Sequence, residues 1–249
     1  MIDELVSPKF GRKTIVTGHY GSGKTEFSVS LAMLLAEKLS RSKGISGGSP
    51  YSSLALVDLD IVNPYFRSRE QREMLEDAGI SLYGSMFDTE ITAELPALGA
   101  TVRKPLEDKN CRVIIDLGGN DIGAMIINQF KKYFTDNDSE MFAVINTNRP
   151  ETATVKDILA HISAIQSITG LSVSKLINNT HMLHETTVGD IIKGNNLCKE
   201  VSKTLNIPIL YNCYPSRIID ASNLSGSIEN LLPLGLYLRP TWLDIYSRS

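Results

Sequence analysis

The sequence predicts an α/β fold in which a mostly parallel central sheet is flanked by helices, three layers in all. Three observations carry that expectation. Short, continuous apolar runs read as strands buried on both faces, longer runs between them have helical apolar spacing, and acids or amides stand where several strand runs end. Strands alternating with helices build parallel sheets covered on both sides. A chain of 249 residues with 42% hydrophobic content can bury one sizeable core, and we expect a single domain over residues 1–249.

Thr14–Thr17 is the first strand, and Glu26–Leu39 follows as a helix because Phe27, Leu31, Leu34 and Leu35 share one face. A Gly/Ser-rich stretch from Ser42 to Ser53 reads as a mobile surface loop before a second strand at Leu54–Leu59. Pro64–Asp77 reads as a helix capped by Asn63 and ending towards Gly79. Ile80–Tyr83 is a short third strand, Leu95–Leu106 a helix, and Arg112–Asp116 a buried strand. Further strands fall at Met141–Ile145, Val173–Ile177 and Ile207–Tyr211, separated by helices near Glu151–Thr169 and Thr187–Leu205. Asn148-Arg149-Pro150-Glu151 carries a helix-start pattern of cap, early proline and acid. Leu231–Leu238 is either an edge strand or a short packed segment.

The bulk properties narrow the class. A net charge of -3 argues against a general nucleic-acid binder, which needs a basic face. Cys111, Cys198 and Cys213 form no CxxC or CxC pair and read as buried thiols. The chain opens without a basic stretch followed by an apolar run, and no apolar run reaches the ~20 residues that span a bilayer. A cytoplasmic location with no membrane span is the expectation.

The most specific pattern is Gly18-His19-Tyr20-Gly21-Ser22-Gly23-Lys24-Thr25, an ungapped G-x-x-x-x-G-K-[ST] between a strand and a helix. Glycines let successive N–H groups turn inward and phosphate approach closely. The helix that starts near Lys24 adds unpaired amides, including that of Glu26, and the positive end of its dipole. Lys24 would bridge the β- and γ-phosphates of ATP or GTP, and the Thr25 hydroxyl would bind Mg²⁺.

Two strands end in acids. Asp58-Leu59-Asp60 closes the second, and Asp116-Leu117-Gly118-Gly119 closes the fourth. In open α/β sheets ligands sit at that edge, so Asp116 is the candidate magnesium acid, with Asp58 and Asp60 beside it. Gly118 or Gly119 could offer a backbone N–H to the γ-phosphate. Strand-end aspartates also serve as helix caps.

In this order and spacing the three segments resemble the MinD/ParA/CobQ-type ATPases, within the wider SIMIBI class of P-loop NTPases. The resemblance covers roughly residues 10–215. It implies a P-loop NTPase fold, ATP with Mg²⁺, and often a nucleotide-dependent homodimer. It maps Lys24 and Thr25 onto phosphate and metal, Asp60 onto the acid that positions the attacking water, and Asp116 onto the second-switch acid. His19 stands where dimerising members carry a second lysine, so trans-activation by that lysine is not supported. The loop is closer to that of the nickel-insertion GTPases.

Lys175-Leu176-Ile177-Asn178-Asn179-Thr180 ends a late strand with two amides. By the same resemblance Asn178 or Asn179 would read the purine, and Pro208 to Pro215 lies where a loop packs on the base. No complete Asn-Lys-x-Asp motif is present, which favours ATP over GTP. Asn63–Arg69 follows Asp60 as a candidate first switch, or as a packed helix start. Arg149 is either a nucleotide-facing cation or a surface arginine. His181 and His184, three apart, lack a third placed metal ligand. The expected function is an Mg²⁺-dependent nucleotide hydrolase acting as a switch or maturation factor on an unidentified protein partner. The alternatives are a small-molecule kinase or ligase drawing on Tyr83–Glu94, Asn120 and Asp121, a GTPase-type metallochaperone, and a module that binds nucleotide without turnover.

Overall fold

The computed structural model describes residues 11–42, 49–60, 69–84 and 95–238. Among the described residues eight strands make one sheet: β1 (Lys13–Thr17), β2 (Ser53–Leu59), β3 (Ile80–Gly84), β4 (Cys111–Leu117), β5 (Ser139–Ile145), β6 (Val173–Asn178), β7 (Ile209–Pro215) and β8 (Leu231–Leu234). Their order is β3-β2-β4-β1-β5-β6-β7-β8, and every neighbouring pair is parallel. The helices are α1 (Lys24–Ser42), α2 (Arg69–Asp77), α3 (Leu95–Glu107), α4 (Asp121–Met125), α5 (Val155–Thr169) and α6 (Val188–Leu205).

Alternation along the strands makes the three layers. Successive side chains point to opposite faces of a sheet. Ile15, Val57, Val113 and Ile115 therefore join α3, α5 and α6 in one core, with Phe130 and Phe134 from a 3-10 segment at Ile126–Phe134. Val16, Leu56, Ile114, Phe142 and Ile177 face the other way and pack on Phe27, Leu31 and Leu35 of α1. The continuous apolar strands foreseen in the sequence are thus buried on both faces, as a parallel sheet requires.

Several boundaries move. The helix expected from Glu151 begins at Val155, capped by Thr154, whose hydroxyl accepts the Asp157 N–H. The pattern at Asn148–Glu151 instead starts a 3-10 turn at Pro150–Thr152, held to the end of β5 by the Thr152 hydroxyl bonded to the Asn146 carbonyl at 2.7 Å. The segment Pro208–Pro215, expected to end as a loop, is mostly strand β7, and Leu231–Leu234 is an edge strand. Asp121–Phe134, unassigned in the sequence, forms α4 and its 3-10 continuation. Asn63–Ser68, Ser85–Glu94, half of the Gly/Ser-rich loop (43–48) and residues 239–249 lie outside the described residues, and with them all of the candidate switch but Arg69, and its cap. No described helix is long and apolar enough to cross a membrane.

Candidate nucleotide site

Because all eight strands are parallel, their carboxyl ends share one edge. β1, near the middle, delivers the phosphate loop there. β4 and β2 bring Asp116, Asp58 and Asp60 to one flank, and β5 and β6 bring Asn146 and Asn179 to the other.

The loop has the backbone its glycines permit. Gly21 and Gly23 have φ of +75° and +77°, a left-handed region costly for side-chain-bearing residues. Outside the loop, the Asn179 Nδ2 donates to the Ser22 carbonyl at 2.8 Å, and the Gly21 carbonyl accepts from the Asn146 Nδ2 at 3.2 Å and the Arg149 Nε at 3.1 Å. Three donors thus hold loop carbonyls outward. Gly119 is pressed against the first residue of the loop, where an added Cβ would lie 1.8 Å from the Gly18 carbonyl oxygen. The Cβ of a residue at 118 would stand 3.4 Å from the Asp60 Oδ1, so Gly118 and Gly119 both line the loop's acidic flank.

The charged centre is buried. Lys24 Nζ lies 2.6 Å from Asp60 Oδ2, and both side chains are almost completely enclosed. Burial alone would depress the Lys24 pKa, but Asp116 and Asp60, helped by Asp58, hold it above its ordinary value. Burial pushes Asp116 up to about 6, against the downward pull of Lys24 and the Thr25 and Ser28 hydroxyls. Ser28, one turn into α1, donates to the Lys24 carbonyl at 2.9 Å and to the Asp116 Oδ1 at 3.3 Å. The Asp116 Oδ2 is buried and has no hydrogen-bond partner among the described residues.

That orphaned oxygen beside Thr25 suits a magnesium ion. No group of three His, Cys, Asp or Glu among the described residues could hold a metal alone. Magnesium does not need one, because it is bound by one or two carboxylates with phosphates and waters. Asp58 is partly committed elsewhere, its Oδ1 accepting the Asp60 N–H at 2.9 Å to shape the strand end.

The remaining sequence candidates separate. Tyr20, at the loop tip, is 68% exposed. His19 is half-buried against His161 of α5, ring centroids 5.5 Å apart, with its Nδ1 3.8 Å from Glu151. Glu26 turns from the loop to accept the N–H groups of Tyr237 at 2.6 Å and Leu238 at 3.0 Å. Asn178 is fully enclosed: its amide donates to the Ile191 carbonyl and Asn212, and its oxygen accepts from Thr180. Pro208 precedes β7 at the opposite edge of the sheet, where its carbonyl accepts the Leu176 N–H, and is not brought to the site. Asn120 caps α4 through the Gly123 N–H at 2.7 Å.

Asn146, Ser28 and His181 join the site without having been singled out as loop contacts. The His181 ring nitrogen Nε2 would stand 3.0 Å from a Cβ on Gly23. Burial, with Arg149 nearby, lowers its pKa to about 4, so the ring is neutral. Asn146 follows the apolar run of β5 directly, the same strand-end signal that picked out Asp116.

No protein-family model matches the chain, and no curated protein matches it either. Solved structures do. Cell division protein FtsY from Thermotoga maritima aligns with a TM-score of 0.50 at 18% identity, over 84% of this chain and 66% of that one. Chloroplast FtsY from Physcomitrella patens gives 0.49 at 17%, over 84% and 63%. The signal recognition particle receptor FtsY from Elizabethkingia anophelis in complex with GDP gives 0.47 at 19%, over 84% and 62%. The chain spans less than two thirds of the length of each of these structures. Identity this low speaks for architecture alone, and what the Thermotoga maritima likeness and the all-parallel sheet establish is an α/β, P-loop NTPase-like fold.

Proposed function

We propose that the chain binds ATP with Mg²⁺ and hydrolyses its terminal phosphate, acting as a switch or maturation factor for a protein partner. The observation that carries this reading is the convergence of Lys24, Asp60 and Asp116 in a buried cluster at the first turn of α1, beneath the phosphate loop.

The amides of Gly21 and Gly23–Thr25 cradle the phosphates, the Ser22 N–H being spent on the His19 carbonyl, and the Lys24 ammonium spreads over the β- and γ-oxygens as negative charge moves between them. Magnesium held by Thr25 and Asp116 would neutralise charge on the transferred phosphoryl. Asp60 orients water in line with the γ-phosphorus. The water oxygen forms the new P–O bond, the bond to the β–γ bridging oxygen breaks, and the products are ADP and phosphate. The missing Asn-Lys-x-Asp motif supports ATP over GTP.

Phosphate release from the wild type and from Asp60→Ala tests the reading. Magnesium-dependent release by the wild type, falling at least about a hundredfold in the variant, is expected. Tight ATP binding with no release from either protein would sink the hydrolase reading.

A further inference from the structure

On the acidic flank of the phosphate loop the Lys24 ammonium is drawn towards Asp60 and Asp116 at the ends of β2 and β4. On the β5 flank stands a second cation. Arg149 follows β5 by four residues, immediately before the Pro150–Thr152 turn, and reaches back to the loop. Its Nε donates to the Gly21 carbonyl at 3.1 Å. The guanidinium packs closely on Gly21, whose φ of +75° already favours glycine: a Cβ there would lie 2.7 Å from the Arg149 Nε and 3.0 Å from the guanidinium carbon.

One edge of the guanidinium is therefore fixed on the loop. Its two terminal nitrogens have no hydrogen-bond or carboxylate partner among the described residues, and the side chain is only half-buried. An arginine kept solely as a clamp duplicates the neutral Asn146 amide, which bonds the same carbonyl at 3.2 Å. What Arg149 adds is a permanent positive charge and a planar fork of donors, the geometry that matches phosphate oxygens.

We propose that Arg149 is a phosphate-binding residue, supplied by the same chain, that grips the polyphosphate from the flank opposite Lys24 and Asp116. The assignment rests on the nucleotide reading above.

The test is ATP affinity measured across ionic strength for the wild type, Arg149→Ala and Asn179→Ala. Asn179 supplies a neutral clamp to the Ser22 carbonyl and serves as the comparison. Arg149→Ala is expected to bind ATP at least about tenfold more weakly in low salt. That deficit should shrink towards 1 M salt, where screening is strong, while the Asn179→Ala deficit stays level. An Arg149→Ala deficit as flat as that of Asn179→Ala would make Arg149 a clamp only and overturn the proposal, as would no deficit at all. A wild type that binds neither ATP nor GTP would overturn the nucleotide reading itself. Thermal unfolding of each variant separates lost affinity from lost fold.

Discussion

Lys24 Nζ and Asp60 Oδ2 form a buried ion pair 2.6 Å long at the point where the phosphate loop becomes helix α1. The pair gives Asp60 two opposed effects. It holds the ammonium charged in the fold's interior, and it competes with phosphate oxygens for that ammonium. Asp60→Asn should therefore bind ATP more tightly, by about tenfold, the equivalent of roughly 1.4 kcal/mol. On the proposed mechanism, hydrolysis should fall at least about a hundredfold, because the acid assigned to orient water is gone. Equilibrium titration with labelled ATP and a phosphate-release assay separate the two effects. Weaker binding together with unchanged turnover would contradict both roles.

Asp116 supplies a pH prediction. Its pKa is raised in the folded chain to about 6, first by burial. A carboxyl raised on folding contributes stability that is fully present below its unfolded value near 3.8 and is lost as pH rises through about 6. At neutral pH the folded chain carries an ionised Asp116 at a cost. Asp116→Asn should thus be more stable than wild type at pH 7, by roughly 1–3 kcal/mol, and nearly equal to it at about pH 3, below the unfolded value. Urea unfolding at the two pH values measures the difference. The same variant should lose magnesium-dependent turnover, which would mark the acid as kept for function at the expense of stability.

The close approach at Gly119 gives a steric prediction. Alanine at 119 would place its Cβ 1.8 Å from the Gly18 carbonyl oxygen, a backbone atom that can move only with the loop. Gly119→Ala should weaken ATP binding at least about tenfold and cost roughly 1–3 kcal/mol of stability through overpacking. Isothermal titration and thermal unfolding check the two. An alanine variant with wild-type affinity would mean that the Gly118–Gly119 segment can back away from the loop without consequence.

These sites were legible in the sequence to different depths. The phosphate loop and the acids of β2 and β4 could be read because their chemistry is local: a strand, a turn and a residue at the strand's end. The parallel sheet was legible for the same reason, since burial on both faces leaves a continuous apolar run. What pairs across the fold was not. The clamp on the loop joins Ser22 to Asn179 over 157 positions and Gly21 to Arg149 over 128, and no spacing rule spans such distances. Asn178 and Asn179 are adjacent and chemically identical, yet one is spent on Ile191 and Asn212 inside the fold and the other on the loop. Only the pleat of β6 and what packs on each face decide which. The start of α5 was misjudged because Asn148–Glu151 is a valid start signal, but for a 3-10 turn that the buried Thr152 ties back to Asn146.

Glu26 ties the phosphate-loop helix to the far end of the chain. Its carboxylate accepts the amides of Tyr237 and Leu238, and one turn later the Ser30 hydroxyl accepts the Gly235 amide at 3.2 Å. Leu238 is buried in the core that also holds Phe27 and Leu31. The segment after β8 is therefore strapped along the first two turns of α1, and its anchor is two residues from Lys24. Glu26→Ala leaves two amides without an acceptor, a loss of about 1–3 kcal/mol. Glu26→Gln keeps one acceptor oxygen and should fall between it and the wild type. Urea unfolding ranks the three, and chymotrypsin cleavage after Tyr237 under native conditions reports on the strap itself. Cleavage should quicken in the order wild type, Gln, Ala. Equal cleavage in all three, with stabilities within about 0.5 kcal/mol, would mean that apolar packing of Leu238 holds the segment and the carboxylate does not.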